Sequence, residues 1–244
     1  MKLGLFVAKK ELGKINELKR FLEEGKKLDA LLSPEGYLHS DLIPDAQQLA
    51  KKYQKWLFLG VEEFTQQDHF ESAIVIDRKG KIIGKHRKTV LTRSEIEEKK
   101  KIGNDLNFFK TEFGKVGIAV CFEVYFPEIC RVFTLNGVKL ILNPIGTGMW
   151  HERQFQLWNA VGMARADENQ IYVAGVSHFC DKIPIAYAYA PDGKLLAQSR
   201  NKNELVVVNL NLKSKGLESS RLAKRKPRLY SIICKTGVSK TKKK

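Results

Sequence analysis

The chain of 244 residues lacks any long hydrophobic run. No apolar stretch approaches the roughly 18 residues that a membrane-spanning helix requires, so no transmembrane segment is expected. The apolar part of the first residues, MKLGLFVAKK, is too short for a secretory signal peptide and is typical of a β-strand. We therefore expect a cytoplasmic protein that makes no membrane contact.

Residues that bind metals or form disulfides are also scarce. The four cysteines form no CxxC pair, and none of the five histidines lies four residues from another. A disulfide framework and a zinc site are therefore not expected, and we predict neither a metal nor another cofactor.

Negative charge is in short supply, with 27 acidic against 43 basic residues and a formal net charge of +16. Part of the excess lies in a lysine-rich tail at about 235–244, which we expect to be frayed. The charge could attract nucleic acid, or it could form a solvated lysine-rich surface. No RNA- or DNA-binding motif accompanies it, so the solvated surface is favoured and nucleic acid is not an expected partner.

Strand and helix patterns alternate along the chain. Apolar strand patterns occupy residues 2–8, 28–33, 56–60, 70–77, 81–85, 115–122, 139–143, 171–177 and 204–211, with two more flanking the turn at 191–193. Helical spacing covers residues 14–26, 44–54, 127–136 and 150–168. No linker divides the chain, so we predict one α/β domain over 1–244 whose sheets are covered by helices. The remainder after the last strand is expected to be extended.

Three predicted strands are followed by residues that can carry chemistry: Glu35, Lys88 and Cys121. In open α/β sheets, ligands gather at the carboxyl ends of strands. Each residue also has an ordinary explanation, since a lone cysteine in an apolar strand is usually a small buried hydrophobe. A glutamate after a proline is usually a turn residue, and a lysine in the run KHRK is usually solvated. Composition and periodicity alone therefore do not identify this site.

Three strings resemble, in order, the three signature motifs of the nitrilase-like carbon–nitrogen hydrolases. They are SPEGYL at 33–38, GKHRKTVL at 84–91 and KVGIAVCFEVYFPE at 115–128. That family carries a Pro-Glu after its second strand, a lysine in a G-x-x-R-K-x-x-L pattern, and a cysteine followed by an acidic residue and a Pro-Glu. The resemblance continues to RKPRLY at 225–230, so it spans nearly the whole chain.

The resemblance implies hydrolysis of an amide through a cysteine thioester, without a cofactor. Cys121 is then the nucleophile and Glu35 the general base. Lys88 and the backbone N–H of Phe122 would hold the oxyanion of the tetrahedral intermediate.

A second glutamate commonly supports the lysine in this family. Glu95, Glu97 and Glu98 are the candidates, and counting back from the turn at 103–105 favours Glu97 as a fourth catalytic residue. The alternative is that these glutamates form only a charged helix face.

Substrate contacts are predicted from aromatic residues close to the motifs. Tyr37, Phe122 and Tyr125 are candidates, as is Trp150 at the end of the stretch 145–150 that follows a predicted strand. Ordinary loop packing is the alternative for each of them.

The fold implied by the resemblance is a four-layer α-β-β-α sandwich that pairs with a second subunit. The helices after Cys121 and around 150–168 would form the dimer interface, with Phe133, Leu135 and Trp158 as candidates and the C-terminal segment helping.

The substrate implied is a small linear amide or carbamoyl compound, but Cys121-Phe122-Glu123 matches neither the Cys-Trp of nitrilases nor the Cys-Tyr-Asp of many amidases. It is most similar to the Cys-Tyr-Glu form of the lipoprotein acyltransferase branch, which carries membrane helices that this chain does not show. A nitrile hydrolase and a non-catalytic basic module that binds nucleic acid remain alternatives.

Overall fold

The computed structural model describes residues 1–9, 15–212 and 221–234, and within these ranges it contains thirteen β-strands and five α-helices. The strands are β1 Lys2–Phe6, β2 Ala30–Leu32, β3 Leu38–His39, β4 Trp56–Phe64, β5 His69–Ile76, β6 Ile82–Arg87, β7 Phe108–Thr111, β8 Gly114–Ile118, β9 Leu140–Ile145, β10 Tyr172–Ser177, β11 Ala186–Tyr189, β12 Leu195–Ser199 and β13 Leu205–Asn209. The α-helices are α1 Ile15–Glu24, α2 Ile43–Tyr53, α3 Arg93–Glu97, α4 Pro127–Leu135 and α5 Glu152–Asn169. Short 3₁₀ helices form at Ser40–Leu42, Cys121–Tyr125 and Pro227–Cys234.

The strands form two mixed sheets. The first has the order β13-β1-β2-β4-β5-β6, with β3 paired to β4, and the second has the order β12-β11-β10-β9-β8-β7. Strands β1, β2 and β4 run parallel, as do β8, β9 and β10, while the outer strands of both sheets pair antiparallel. The parallel strands of each sheet therefore end at one edge, where loops from both sheets can meet.

Both faces of the first sheet are buried, which explains its nearly continuous apolar strands. Along β1, Leu3 and Leu5 pack into the core shared with the second sheet. Phe6 points to the opposite face and packs with Phe21 and Leu22 of α1 in a separate core that also includes α2. Helices α4 and α5 cover the outer face of the second sheet. The arrangement confirms the predicted four-layer α-β-β-α sandwich.

The predicted strand at 115–122 is shorter than expected. Strand β8 ends at Ile118, and Cys121 begins a 3₁₀ helix. The cause is local: the Glu123 carboxylate accepts a hydrogen bond from the Val120 N–H at 2.6 Å, which turns the chain out of the sheet.

The C-terminal segment also differs from the prediction of an extended chain, because Pro227–Cys234 forms a 3₁₀ helix. The predicted frayed tail at about 235–244 lies outside the described residues. Among the helices within the described ranges, none combines the length and the hydrophobicity needed to cross a bilayer.

Two of the three residues predicted for a subunit interface are core residues. Phe133 and Trp158 are buried between their helices and the second sheet, whereas Leu135 is exposed at the end of α4. The reason is the helical phase, since α4 and α5 turn these aromatic side chains inward onto the sheet.

Candidate active site

Glu35 is placed by a tight turn after β2. The Ser33 hydroxyl accepts a hydrogen bond from the Gly60 N–H at 2.9 Å and ties the end of β2 to β4. Gly60 permits this approach, because a Cβ there would lie 2.1 Å from the Pro34 carbonyl oxygen. The turn holds Glu35 with only 5% of its surface exposed.

Lys88 follows β6 and is fully buried. Its ammonium donates to Oε1 of Glu35 at 2.8 Å and to Oε1 of Glu95 at 2.6 Å. Burial alone would lower the pKa of Lys88, but the negative charge of Glu35 and Glu95 outweighs it, and the pKa lies above its ordinary value. Lys88 is therefore a permanent cation, and both carboxylates are needed to stabilise its charge in the buried site.

The glutamate beside Lys88 is Glu95, so the predicted register is wrong. Oε2 of Glu95 accepts from the Thr92 N–H at 2.6 Å and from its hydroxyl at 2.9 Å, which leaves Oε1 for Lys88. Glu97 lies on the exposed side of α3 and pairs with Arg93 at 2.9 Å. The sequence carried a usable signal, because Thr92-Arg93-Ser94-Glu95 is a capping box that fixes the start of α3 and the direction of Glu95.

Cys121 opens its 3₁₀ helix with a φ of +49°, a left-handed conformation that is rare for a side-chain-bearing residue. Burial and the charge of Glu35 raise the pKa of Cys121, although Lys88 and the Gly146 N–H oppose them. The resting thiol is therefore protonated, and it lies close enough to Glu35 for the charge of that carboxylate to act on it.

Gly146 follows β9 and closes the other side of the Glu35 carboxyl. A Cβ at this position would lie 2.4 Å from Oε2 of Glu35. The glycine thus leaves the carboxyl room to stay beside both the Lys88 ammonium and the Cys121 thiol.

Glu123 joins the lysine loop to the cysteine turn. It is fully buried and accepts hydrogen bonds from the N–H and the hydroxyl of Thr89, from Nε2 of His86, and from the Val120 N–H. Burial opposes its ionisation, but the hydrogen bonds from His86 and Thr89 hold the pKa of Glu123 below its ordinary value. This carboxylate therefore fixes the loop that bears Lys88 relative to the turn that bears Cys121.

A cavity of about 870 Å³ lies in front of Glu35, Lys88 and Cys121, the candidate catalytic triad. Phe122, Tyr125 and Trp150, the residues predicted to contact substrate, line this cavity, and Trp150 is largely exposed. The Lys182 ammonium lies 3.2 Å from the centroid of the Trp150 indole. These side chains bound the space next to Cys121 that a small substrate would enter.

Tyr37 does not line this cavity, which corrects the prediction that it contacts substrate. Its ring is fully buried on the opposite side of the first sheet, 5.0 Å from the ring of Phe6. Burial raises the pKa of Tyr37 above its ordinary value, and the negative charge of Glu17 adds to the effect. The physical reason is the turn at Gly36, whose φ of +59° sends the next side chain away from Glu35.

Three glutamates, Glu62, Glu71 and Glu98, form a further wall of the cavity, which the sequence analysis did not predict. The Lys100 ammonium contacts Glu71, lies 3.1 Å from Glu98 and lies 3.9 Å from Glu62. All four residues line the cavity. Burial and the nearby charge of Glu35 raise the pKa of Glu71 to about 8. Only strand pairing brings Glu62 of β4 opposite Glu71 of β5.

The comparison with known families agrees with this geometry. The family model described as carbon–nitrogen hydrolase matches residues 36–216, a range that begins directly after Glu35 and includes Lys88, Glu95 and Cys121. The chain belongs to the carbon–nitrogen hydrolase family.

Individual relatives are distant. A Schizosaccharomyces pombe protein named probable nitrilase is 35% identical over 126 residues, which cover 50% of this chain and 45% of the relative. The N-carbamoylputrescine amidase of Arabidopsis thaliana is 25% identical over 222 residues, which cover 81% of this chain and 74% of the relative. This chain thus spans about half the length of the first relative and three quarters of the second.

The fold is shared with solved structures. The carbon–nitrogen hydrolase from Helicobacter pylori G27 superposes with a TM-score of 0.84 at 18% identity, covering 96% of this chain and 98% of that chain. At this identity, the similarity establishes the sandwich architecture.

Proposed function

We propose that this chain hydrolyses a non-peptide C–N bond of a small linear amide or carbamoyl substrate through a thioester on Cys121. One observation carries the proposal: the Glu35 carboxylate accepts a hydrogen bond from the Lys88 ammonium at 2.8 Å and lines the same cavity as Cys121, where its charge acts on the thiol. A base, a nucleophile and a cation therefore meet beside a cavity of suitable size.

The acylation step follows from the resting protonation of the site. Cys121 is a protonated thiol beside Glu35, so Glu35 takes the proton as the sulfur attacks the substrate carbonyl carbon. The oxyanion that forms is held by the Lys88 ammonium and the Phe122 backbone N–H, and one such donor is typically worth ~2.7–4 kcal/mol. Glu35 returns the proton to the nitrogen, the C–N bond breaks, and ammonia or an amine leaves.

The deacylation step repeats the same roles with water. Glu35 takes a proton from a water molecule that attacks the thioester carbonyl, and the carbon–sulfur bond then breaks. The proton returns to sulfur, and the carboxylic acid leaves. In sum, one amide and one water give one carboxylic acid and one ammonia or amine, and the enzyme is restored.

The relatives support this substrate class and suggest a second candidate. The amidase similarity extends over 81% of the chain and favours an amide or carbamoyl substrate. The shorter match to a protein named as a nitrilase favours nitrile hydrolysis, in which the same thiol attacks the nitrile carbon. Nitriles therefore belong in the substrate panel.

The test is ammonia release from a panel of linear amides, carbamoyl compounds and nitriles, with wild type and Cys121→Ala compared. The variant should lose turnover and keep its circular dichroism spectrum, since it removes one sulfur atom. Acylated wild type should carry the added acyl mass on Cys121 by mass spectrometry.

Two other cysteines provide matched controls. Cys130 is buried in α4 and Cys180 lies near Thr147, and their alanine variants should retain much of the activity. Near-normal turnover by Cys121→Ala on a confirmed substrate would overturn the mechanism.

We also propose that the chain forms a homodimer through α4 and α5, with the C-terminal 3₁₀ helix contributing. Exposed apolar side chains on these elements support the proposal: Val132, Leu135, Leu157, Met163, Leu229, Tyr230 and Ile233. Apolar side chains gathered on neighbouring elements are typical of protein interfaces.

A further inference from the structure

Glu62, His69 and Glu71 form a group of three acceptors at one end of the first sheet. Glu62 on β4 lies directly opposite Glu71 on β5, and His69 precedes Glu71 by two residues on the same face. One side-chain ligand atom from each residue lies within 4.8 Å of those of the other two. Glu62 and Glu71 line the cavity that holds Cys121.

Two atoms of this group are buried without a partner. Oε2 of Glu71 and Nε2 of His69 have no hydrogen-bond partner among the described residues, and Glu71 is only 4% exposed. The other oxygen of Glu71 is already bound to Lys100. Burial and the Lys100 charge lower the pKa of His69, so its imidazole is neutral at pH 7 and can accept a hydrogen bond. Buried polar atoms of this kind are normally satisfied, so the pair indicates a missing donor.

The negative charge of the glutamate wall indicates that the missing donor is a cation. Glu62, Glu71 and Glu98 share the single ammonium of Lys100. Lys88 is already divided between two other carboxylates. Even with Glu71 protonated at pH 7, Glu62 and Glu98 carry two negative charges against the one positive charge of Lys100. A bound cation would relieve this imbalance and would also favour the ionised form of Glu71.

The ligand atoms of the three residues lie within 4.8 Å of one another, and this limit accommodates the acceptors of an ammonium group. A primary ammonium has three N–H donors, and bonds of about 2.8 Å at tetrahedral angles place their acceptors about 4.6 Å apart. A zinc ion with ligands at about 2.0–2.2 Å needs them about 3.3–3.6 Å apart, which the same limit also admits, so zinc is an alternative that the experiment tests. The Lys100 ammonium beside Glu71 would repel a divalent ion about twice as strongly as a singly charged ammonium group at the same distance.

We propose that Glu62, His69 and Glu71 bind the primary ammonium group of an amide or carbamoyl substrate whose scissile group lies at Cys121. This ammonium site selects cationic substrates over neutral and anionic ones of the same length. It rests on the proposed function for the reaction, whereas the binding itself can be measured without turnover.

The experiment uses the full chain with Cys121→Ala, which cannot turn over. Calorimetry compares 4-aminobutanamide, and its homologues with one and two further methylenes, with alkyl amides of equal length and with succinamate. A hydrogen-bonded charge should make the best amino amide bind at least about tenfold more tightly than its neutral counterpart. Equal dissociation constants across the series would overturn the ammonium site.

Single variants locate the selectivity. In the Cys121→Ala background, Glu71→Gln and Glu62→Gln should each reduce the affinity ratio between amino amide and alkyl amide by roughly tenfold. Glu98→Gln is the matched control, because Glu98 touches Lys100 and lines the cavity but lies outside the group of three acceptors, and it should keep the ratio. A ratio that falls equally in all three variants would assign selectivity to general charge and overturn the site.

Three further outcomes can be told apart. If the amino amides bind selectively but wild type releases ammonia from no amide, the proposed function is wrong and the ammonium site stands. If wild type hydrolyses alkyl and amino amides equally and neither is bound preferentially, the ammonium site is wrong and the proposed function stands. Zinc binding that requires His69 and Glu71, without ammonium selectivity, would make the group a metal site and overturn the proposal.

Discussion

At the residue scale, Glu95 uses its two carboxylate oxygens for different tasks. One oxygen closes the capping box with Thr92, and the other receives the Lys88 ammonium. The capping box already holds the Glu95 side chain in one orientation. Little further conformational entropy is therefore lost when Glu95 pairs with Lys88. Glu35 can then remain beside both the lysine and the thiol.

The first prediction compares Glu95→Gln with Glu97→Gln. Glutamine at the third helical position still completes a capping box, so Glu95→Gln removes charge from the Lys88 pair and leaves α3 in place. We expect kcat/KM to fall by roughly ten- to a hundredfold, as when a hydrogen bond to a charged group is lost. Glu97→Gln, on the exposed face, should stay within about twofold. A larger loss in Glu97→Gln than in Glu95→Gln would contradict the assignment.

The second prediction concerns Glu71 and pH. Its pKa is raised from 4.5 to about 8 in the folded chain, so between these values the folded state holds more protons than the unfolded state. Stability should therefore fall as pH rises through this window, by up to about 1.4 kcal/mol per pH unit from this group. Glu71→Gln carries no such proton and should lose that slope.

Urea unfolding of wild type and Glu71→Gln at pH 5 and pH 8 measures the difference. The variant should gain stability relative to wild type at the higher pH. The exposed Glu98 gives the control, since Glu98→Gln should follow the wild-type profile. Parallel profiles for wild type and Glu71→Gln would show that Glu71 titrates normally.

At the scale of elements, the site depends on a clamp between two loops. Glu123 binds Thr89 beside Lys88, and it binds Val120 beside Cys121. The loop after β6 belongs to the first sheet, and the turn after β8 belongs to the second. The Glu123 carboxylate bonds to both and so fixes the distance between them. Glu123 is accordingly a positioning residue.

The third prediction compares Glu123→Gln with Glu128→Gln, two glutamates of the same motif. A glutamine amide at position 123 has only one acceptor oxygen, so it cannot accept all the hydrogen bonds donated there. Its NH₂ group is itself a donor and would face the other donors. We expect a loss of stability of about 1–3 kcal/mol for each buried donor that is left without an acceptor. We also expect kcat to fall more than KM changes, because the triad is misaligned. Glu128 is exposed in the first turn of α4, so its variant should resemble wild type in both measurements.

At the scale of the whole molecule, the outer helices α4 and α5 have a second face to cover. Phe133 and Trp158 satisfy the core of the subunit, and Leu135 and its exposed neighbours remain in solvent. The proposed dimer would bury them. Its interface would lie on the helices that follow Cys121, so assembly could stabilise the cysteine turn.

The fourth prediction is that sedimentation at micromolar concentration finds a dimer, and that Leu135→Asp shifts it towards monomer. A buried aspartate without a partner is costly, so the association should weaken strongly. Ile82 on β6 is exposed and lies in the other sheet, so Ile82→Asp should leave the dimer intact. A wild-type monomer at this concentration would refute the proposed assembly.

The sequence by itself determined the α/β class, most of the strands and helices, and the positions of Glu35, Lys88 and Cys121, because apolar periodicity and ordered motifs are local properties of the chain. It did not determine the supporting glutamate by counting, although the capping box at Thr92 would have. The tertiary structure decided the features that depend on contacts between elements. These are the burial of Tyr37 in the opposite core, the Glu123 clamp between two loops, and the pairing of Glu62 with Glu71. These contacts join residues that are distant along the chain or set by strand register, and neither spacing nor composition encodes that register.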